Sequence, residues 1–337
     1  MTTFGYFLSS EECQPDRLLE QARLAEEAGF DALAISDHYH PWVDAQGSSP
    51  FVWSMIGALS QVTDLPITTL VTCPTVRTHP AVVAQAAATS GVLTRGRFRF
   101  GVGSGEALNE HITGEGWPRF DIRADMLEEA VEIIRLLFGG GQVDYDGQYY
   151  SVDNARLYTL PDTPIPIHVS AFGPQAAELA GAIGDGLITM QPDRELITTF
   201  REAGGQNKPV LGGLKVCWDS DADRAAETAL KLWATELLPG ELAQVLPTPA
   251  HFEQATELVT LDKVAKQFPC GDDPDRHAAA VQEYVDAGFD EVYVGQIGPH
   301  YKEFFDAYRE QVLPRLRAAD RSRDQSQEQR DSAEVGS

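Results

Sequence analysis

What this sequence has least of is positive charge. Lys and Arg together number 26 against 51 Asp and Glu, a formal net charge of -25 over 337 residues. Lysine is scarce, and most of the positive charge is arginine. A surface of that sign repels phosphate backbones and anionic lipid, which argues against nucleic-acid and membrane-surface partners and leaves a small molecule as the expected one. The acidity is spread along the chain, which fits either an ordinary acidic enzyme or a surface adapted to high salt. Cysteine is equally sparse. Cys13, Cys73, Cys217 and Cys270 lie far apart, with no C-x-x-C pair and no histidine at ligand spacing. That reads as reduced thiols rather than a disulfide framework, and no metal site is expected. Long apolar runs are missing too, and the N-terminal MTTFGYFLSS has no basic or extended apolar region. Neither a membrane span nor a signal peptide is expected, so the expected location is cytoplasmic.

What is present suffices for a large core: 43% of residues are hydrophobic and 9% aromatic. Short apolar runs read as buried strands at Phe4–Leu8, Ala32–Ser36, Ile67–Thr72, Phe98–Val102, Ile167–Ala171, Leu187–Met190, Val210–Cys217 and Val292–Gly295. Helical periodicity fills the intervals at Pro15–Ala28, Ala81–Leu93, Arg123–Phe138, Pro174–Ile183, Ala222–Leu238, Asp275–Ala287 and Lys302–Ala318. Eight strands alternating with helices predict parallel βα units, and the length suits a (β/α)8 TIM barrel of the α/β class. An internal echo supports this. EAGFDALAIS at Glu27–Ser36 and DAGFDEVYVG at Asp286–Gly295 each end a helix at Ala-Gly, with glycine as a left-handed cap, before a buried strand. LAGAIGDGLI at Leu179–Ile188 is a weaker third copy. Residues 1–319 are expected to form one barrel domain with insertions near 138–163, hairpin-like, and 239–269, near the mouth. The polar stretch 320–337 is expected to be a disordered tail.

Barrel active sites lie at the C-terminal strand ends. There the sequence places Ser36-Asp37-His38-Tyr39-His40-Pro41-Trp42, Thr72-Cys73-Pro74-Thr75, the run Gly101 to Glu110, and Ser170-Ala171-Phe172-Gly173-Pro174. His38 and Glu106 form a candidate acid/base pair at neutral pH, although an Asp-His loop also serves as a plain hydrogen-bonded turn. Gly101–Gly105 allows close backbone approach to a ring or phosphate, yet it is neither a dinucleotide fingerprint nor a nucleophile elbow. Phe172-Gly173-Pro174 opens a helix and is either an anion cradle or a simple βα turn. Trp42 is a lid or a core residue; Trp53 reads as core. The remaining histidines read as structural.

At these loops the chain resembles the deazaflavin-dependent glucose-6-phosphate dehydrogenase group of the bacterial luciferase-like superfamily. Asp37-His38 with Pro41-Trp42, Thr72 to Thr75, and Gly103-Ser104-Gly105-Glu106-Ala107-Leu108-Asn109-Glu110 carry the resemblance. It implies coenzyme F420 as hydride carrier, with His38 and Glu106 as acid/base pair and Trp42 shielding the reacting face. It also implies that Asp37, Cys73, Ser104, Gly105 and Asn109 contact the cofactor, with Phe172, Gly173, Gln175 and Ala176 around its phosphate. A non-proline cis peptide near Leu70-Val71 and a homodimer are implied as well. Two departures stand out. Cys73 occupies a threonine position, and Met190-Gln191-Pro192-Asp193 is acidic where the sugar-phosphate enzymes carry a lysine. An aspartate there repels a phosphate dianion, which leaves Arg194, Lys266 and Arg276 as candidate substrate-binding cations. The expected activity is F420-dependent hydride transfer at the hydroxyl-bearing carbon of a small substrate, a sugar phosphate or another alcohol. The alternatives are an FMN-dependent monooxygenase of the same superfamily and a non-catalytic flavin-binding barrel.

Overall fold

A computed structural model describes residues 1–323. Ten strands occur in chain order: β1 (Thr3–Leu8), β2 (Ala32–Ile35), β3 (Ile67–Thr69), β4 (Phe98–Val102), β5 (Val143–Asp146), β6 (Ser151–Ala155), β7 (Ile167–Ser170), β8 (Gly186–Ile188), β9 (Val210–Val216) and β10 (Glu291–Gln296). Eight of them close into a parallel barrel in the order β1-β10-β9-β8-β7-β4-β3-β2. β5 and β6 form a separate antiparallel hairpin where the first insertion was expected. The barrel strands read as unbroken apolar runs because both of their faces are covered. Every residue of β2, β3 and β10 is buried. Inside the barrel, Phe7, Ala32, Ala34, Ile188, Leu211 and Tyr293 pack together. Arg99 pairs with Glu291, and the Tyr293 hydroxyl donates to Glu291 Oε2 at 2.7 Å.

The echoed motif has a physical basis. Gly29 (φ 88°) and Gly288 (φ 104°) are left-handed caps whose amides donate back into the preceding helix. The aspartate two residues on does a second job. Asp31 accepts from the Phe4 amide at 3.0 Å, and Asp290 from the Val210 amide at 2.8 Å, so each fastens the start of a neighbouring strand. The third copy shares only this half. Asp185 accepts from the Ile167 amide at 2.8 Å, but Gly184 is extended (φ -87°, ψ 161°).

Three features depart from the sequence reading. A helix at Val52–Leu59, not expected, carries Trp53 half-buried against Phe98 and Phe100. The helix expected to reach Leu238 ends at Trp233 and tightens into a single turn over Ala234–Leu237. The second insertion, expected to hold irregular helices, carries three short ones, Leu242–Val245, Pro249–Thr256 and Leu261–Gln267. The C-terminal helix runs past Ala318 to residue 323, so the first four residues of the expected tail are ordered. Asp320 is the reason. It is 4% exposed and accepts from the Thr2 amide at 2.7 Å and the Thr2 hydroxyl at 3.0 Å, tying this helix to the residue that precedes β1. The remainder of that tail lies outside the described residues. The peptide between Leu70 and Val71 is cis, as the resemblance implied. Among the described residues no helix is long and apolar enough to cross a membrane.

Candidate active site

The loop leaving β2 is the centre of the site. Ser36 Oγ donates to Glu11 Oε2 at 2.8 Å and accepts from the Ser10 amide at 3.0 Å, which clamps the ends of β1 and β2 together. This puts the Glu11 carboxylate 3.5 Å from His38 Nε2, with both side chains nearly buried. His38 Nδ1 lies 3.2 Å from the His40 carbonyl oxygen. A carbonyl only accepts, so Nδ1 carries the hydrogen and the Nε2 lone pair is the basic one. A proton arriving at Nε2 creates an imidazolium beside Glu11, whose charge stabilises it. The Trp42 ring stands 4.8 Å from the His38 ring at 58° and packs edge-on against Phe252 at 5.1 Å. Phe252 belongs to the second insertion, which packs with Val43 and Leu108 and so roofs the loops after β2 and β4.

Glu106 opens the short helix Ala107–Glu110 at the end of β4. Its Oε2 accepts from Asn109 Nδ2 at 3.2 Å. The other end of the Asn109 amide accepts from the Tyr39 and His40 amides at 2.9 and 3.2 Å. One buried asparagine thus holds the Glu106 loop to the His38 loop. Gly105 has φ 79°, and a Cβ there would lie 2.5 Å from Cys73 Sγ, so glycine is required on both counts. Cys73 lies against Gly105, 5% exposed, its sulfur 2.9 Å from Thr75 Oγ1. Burial, and then the nearby Glu110 carboxylate, push its thiol well above the usual range, so it stays neutral.

Asp37 is 5% exposed and joins the loops after β2 and β3, accepting from Thr72 Oγ1 at 2.8 Å and from Arg77 Nη2 at 2.9 Å. Arg77 also donates its amide to Glu110 Oε2 at 2.8 Å. Burial raises Glu110 to about 7, with Arg77 opposing the rise. The sequence reading missed Arg77, Glu110 and Glu11. For Arg77 no local signal exists, whereas Glu110 closes the motif that carries the resemblance and was given no role. Glu11 follows the end of β1 and is reached by the same rule that found His38.

The residues fit a deazaflavin. Half-buried Leu70 and Val71 offer an apolar floor, and Gly103 leaves the space beside it open, since a Cβ there would lie 2.8 Å from Val71 Cγ2. At the end of β7, Gly173 caps the helix Pro174–Ile183 without any side-chain hydrogen bond, and nothing lies within 4 Å of its Cβ position. Exposed Phe172 and Gln175 and half-buried Ala176 flank those helix-end amides, a ready anion site.

The three candidate substrate cations are not brought to His38. Lys266 pairs with Asp262 at 2.7 Å on an exposed helix face. Arg276 donates to the carbonyls of Ala265, Phe268 and Cys270, fastening the helix Leu261–Gln267. Arg194 donates to the Asp286 carbonyl. Asp193 is a helix cap that accepts from the Glu195 and Leu196 amides at 2.8 and 3.1 Å.

Comparison with known proteins shows the family. The luciferase-like monooxygenase family profile matches residues 2–291. An F420-dependent glucose-6-phosphate dehydrogenase of Beutenbergia cavernae is 37% identical over 334 residues, covering 95% of this chain and 99% of its own. One from Mycolicibacterium gilvum is 38% identical over 328 residues, covering 93% and 97%. An F420-dependent secondary alcohol dehydrogenase, solved with an F420-acetone adduct, superposes with a TM-score of 0.87 at 33% identity, covering 94% of this chain and 99% of its own. The F420-dependent tetrahydromethanopterin reductase of Methanopyrus kandleri shares the fold, with a TM-score of 0.74 at 21% identity. The chain therefore belongs to the luciferase-like family of (β/α)8 barrels, among the relatives of the F420-dependent glucose-6-phosphate dehydrogenases.

Proposed function

We propose that this chain is an oxidoreductase that moves a hydride between coenzyme F420 and the hydroxyl-bearing carbon of a small substrate. The observation that carries the reading is the row Glu11–His38–Trp42, whose loop Asn109 joins to that of a second carboxylate, Glu106. Bound deazaflavin supplies a ring carbon that takes or gives a hydride. Gly103, Gly105, Ser104, Leu70 and Val71 would hold its ring, and the amides at Gly173, Gln175 and Ala176 its phosphate. His38 Nε2 takes the proton of the substrate hydroxyl, and Glu11 stabilises the imidazolium that results. Glu106 holds the proton exchanged on the cofactor side. Trp42, backed by Phe252, covers His38 and keeps water from it. The proposal extends to a cytoplasmic homodimer, for which exposed Phe51, Val82 and Leu93 offer an apolar face; light scattering on the purified protein tests the dimer.

The test is separate fluorescence titration of the apo-protein with F420 and FMN, followed by turnover of His38→Ala. Preference for F420, with retained binding and turnover reduced about 10²–10⁴-fold in the variant, is expected. Preference for FMN would move the chain to the monooxygenase branch. Tight F420 binding without turnover of any alcohol would make it a binding barrel.

A further inference from the structure

Three cationic side chains are buried, or nearly so, on segments at or beyond the strand ends: Arg77, Arg123 and Lys215. Arg77 is held between Asp37 and Glu110. Arg123 stacks on Trp117 at 4.4 Å and donates to the Pro118 carbonyl at 2.8 Å and to Gln244 Oε1 at 3.4 Å, which fastens the loop after β4. Lys215 is placed differently. It is the penultimate residue of β9 and shares the strand face of Leu211, which lies in the barrel interior with Phe7 and Tyr293. Its ammonium stands 3.8 Å from the centre of the Trp233 ring and 4.9 Å from that of Phe7. The side chain is 7% exposed, and Glu236, in the turn just beyond Trp233, is its ion-pair partner.

This pair is tied to the segments that carry Glu11, His38 and Trp42. Trp233 Nε1 donates to Glu12 Oε2 at 2.7 Å, next in the chain to the Glu11 that faces His38. Trp42 packs on the apolar cluster that contains Trp233. Gln46 accepts from the Trp42 amide at 2.8 Å and donates to the Leu232 carbonyl at 2.8 Å, linking the two walls.

We infer that Glu236 is a charge filter: by neutralising Lys215 it closes the pocket to phosphorylated and carboxylated hydroxyl compounds and reserves it for small uncharged alcohols. The inference rests on the hydride-transfer reading above and names its substrate class. A phosphate dianion entering beside the half-buried Trp42 loses its water and needs a cation to offset the loss. The inward-facing lysine is already paired. The incoming anion would instead meet the carboxylate of Glu236 and be repelled. An uncharged alcohol needs no counter-charge and gains from the aromatic wall. Removing the carboxylate alone leaves a cation at the pocket wall with no partner, which is the anion site that the wild-type chain withholds.

The test uses the full chain as wild type, Glu236→Gln, Glu236→Ser, Glu236→Asp and the double variant Glu236→Gln/Lys215→Met. Each apo-protein is titrated calorimetrically with inorganic phosphate and with glucose 6-phosphate. The ratio of kcat/KM for glucose 6-phosphate to that for 2-propanol is then measured with F420. Binding of phosphate to Glu236→Gln or Glu236→Ser should be about tenfold or more tighter than to wild type, the worth of one new charge-assisted hydrogen bond from the Lys215 ammonium. Glu236→Asp should keep the wild-type exclusion, and the double variant should lose the gain. The kcat/KM ratio should rise in the same order. Either Glu236 variant that keeps the wild-type melting transition and fails to gain phosphate binding overturns the inference. So does a wild-type enzyme that prefers glucose 6-phosphate to 2-propanol. Failure of the wild type to bind F420 would sink the hydride-transfer reading instead, and the phosphate titrations, which need no cofactor, would still decide the filter.

Discussion

Replacing Asn109 by leucine removes three hydrogen bonds with one side chain of similar size. Asn109 is 1% exposed; its Oδ1 serves the Tyr39 and His40 amides at 2.9 and 3.2 Å, and its Nδ2 serves Glu106 at 3.2 Å. Water cannot reach the buried end of that amide, so Asn109→Leu leaves two backbone donors without acceptors, at about 1–3 kcal/mol each. The sum, roughly 2–6 kcal/mol, corresponds to a fall of about 4–12 °C in Tm for a domain of this size. Asn109→Asp separates stability from chemistry. It keeps both amide acceptors, so its Tm should fall less than that of the leucine variant. It also loses the donor to Glu106 and sets a second carboxylate at that distance, so one proton is held between the two. The pH profile of kcat/KM should then differ from that of the wild type. Calorimetry and the pH profile read the two effects independently. A leucine variant that melts within about 1 °C of wild type, or an aspartate variant with an unmoved profile, would refute the role given to this residue.

Glu11→Gln should lower kcat/KM by about 10²-fold, because the imidazolium formed at His38 Nε2 loses its counter-charge; steady-state kinetics beside an unaltered F420 titration check it. Gly105→Ala combines a left-handed torsion, about 1–2 kcal/mol, with a Cβ placed 2.5 Å from Cys73 Sγ. F420 affinity should fall, and adding Cys73→Ala should restore only part of it, since the clash is relieved and the torsion is not. Burial lowers both His168 and His277 to about 4. A depressed folded-state value means that their contribution is present above the unfolded value near 6.5 and is lost as pH falls through 4, roughly 3 kcal/mol for each ring. Urea midpoints should drop across that window. Glu110, raised to about 7, acts in the opposite sense, its contribution fading as pH rises from 4.5 to 7, so Glu110→Gln should steepen the loss in acid.

Local pattern was enough for the scaffold. Unbroken apolar runs marked all eight barrel strands, and the Ala-Gly-Phe-Asp echo marked two helix caps whose glycines do take left-handed conformations. The hairpin after Phe138 was legible from its Gly, Asp and Tyr content. These are short-range properties: a cap or a half-turn of apolar spacing is decided within a few residues. The helix Val52–Leu59 escaped because no side chain caps its start and it spans only two turns. The loops bearing His38, Glu106 and Gly173 could be placed at the mouth because a parallel barrel sends every strand end to one face. Partnership could not be read this way. Glu11 meets Ser36 across 25 residues, Arg77 meets Asp37 across 40, and Trp233 meets Glu12 across 221. Arg194, Lys266 and Arg276 were chosen for their charge, and closure of the barrel spent each of them on a carbonyl or a surface carboxylate. Lys215 passed unnoticed inside an apolar strand until closure set it over Trp233 and beside Glu236. A charge acts over ångströms of space rather than positions of sequence, so its role exists only once the strands that carry it and its partner have met.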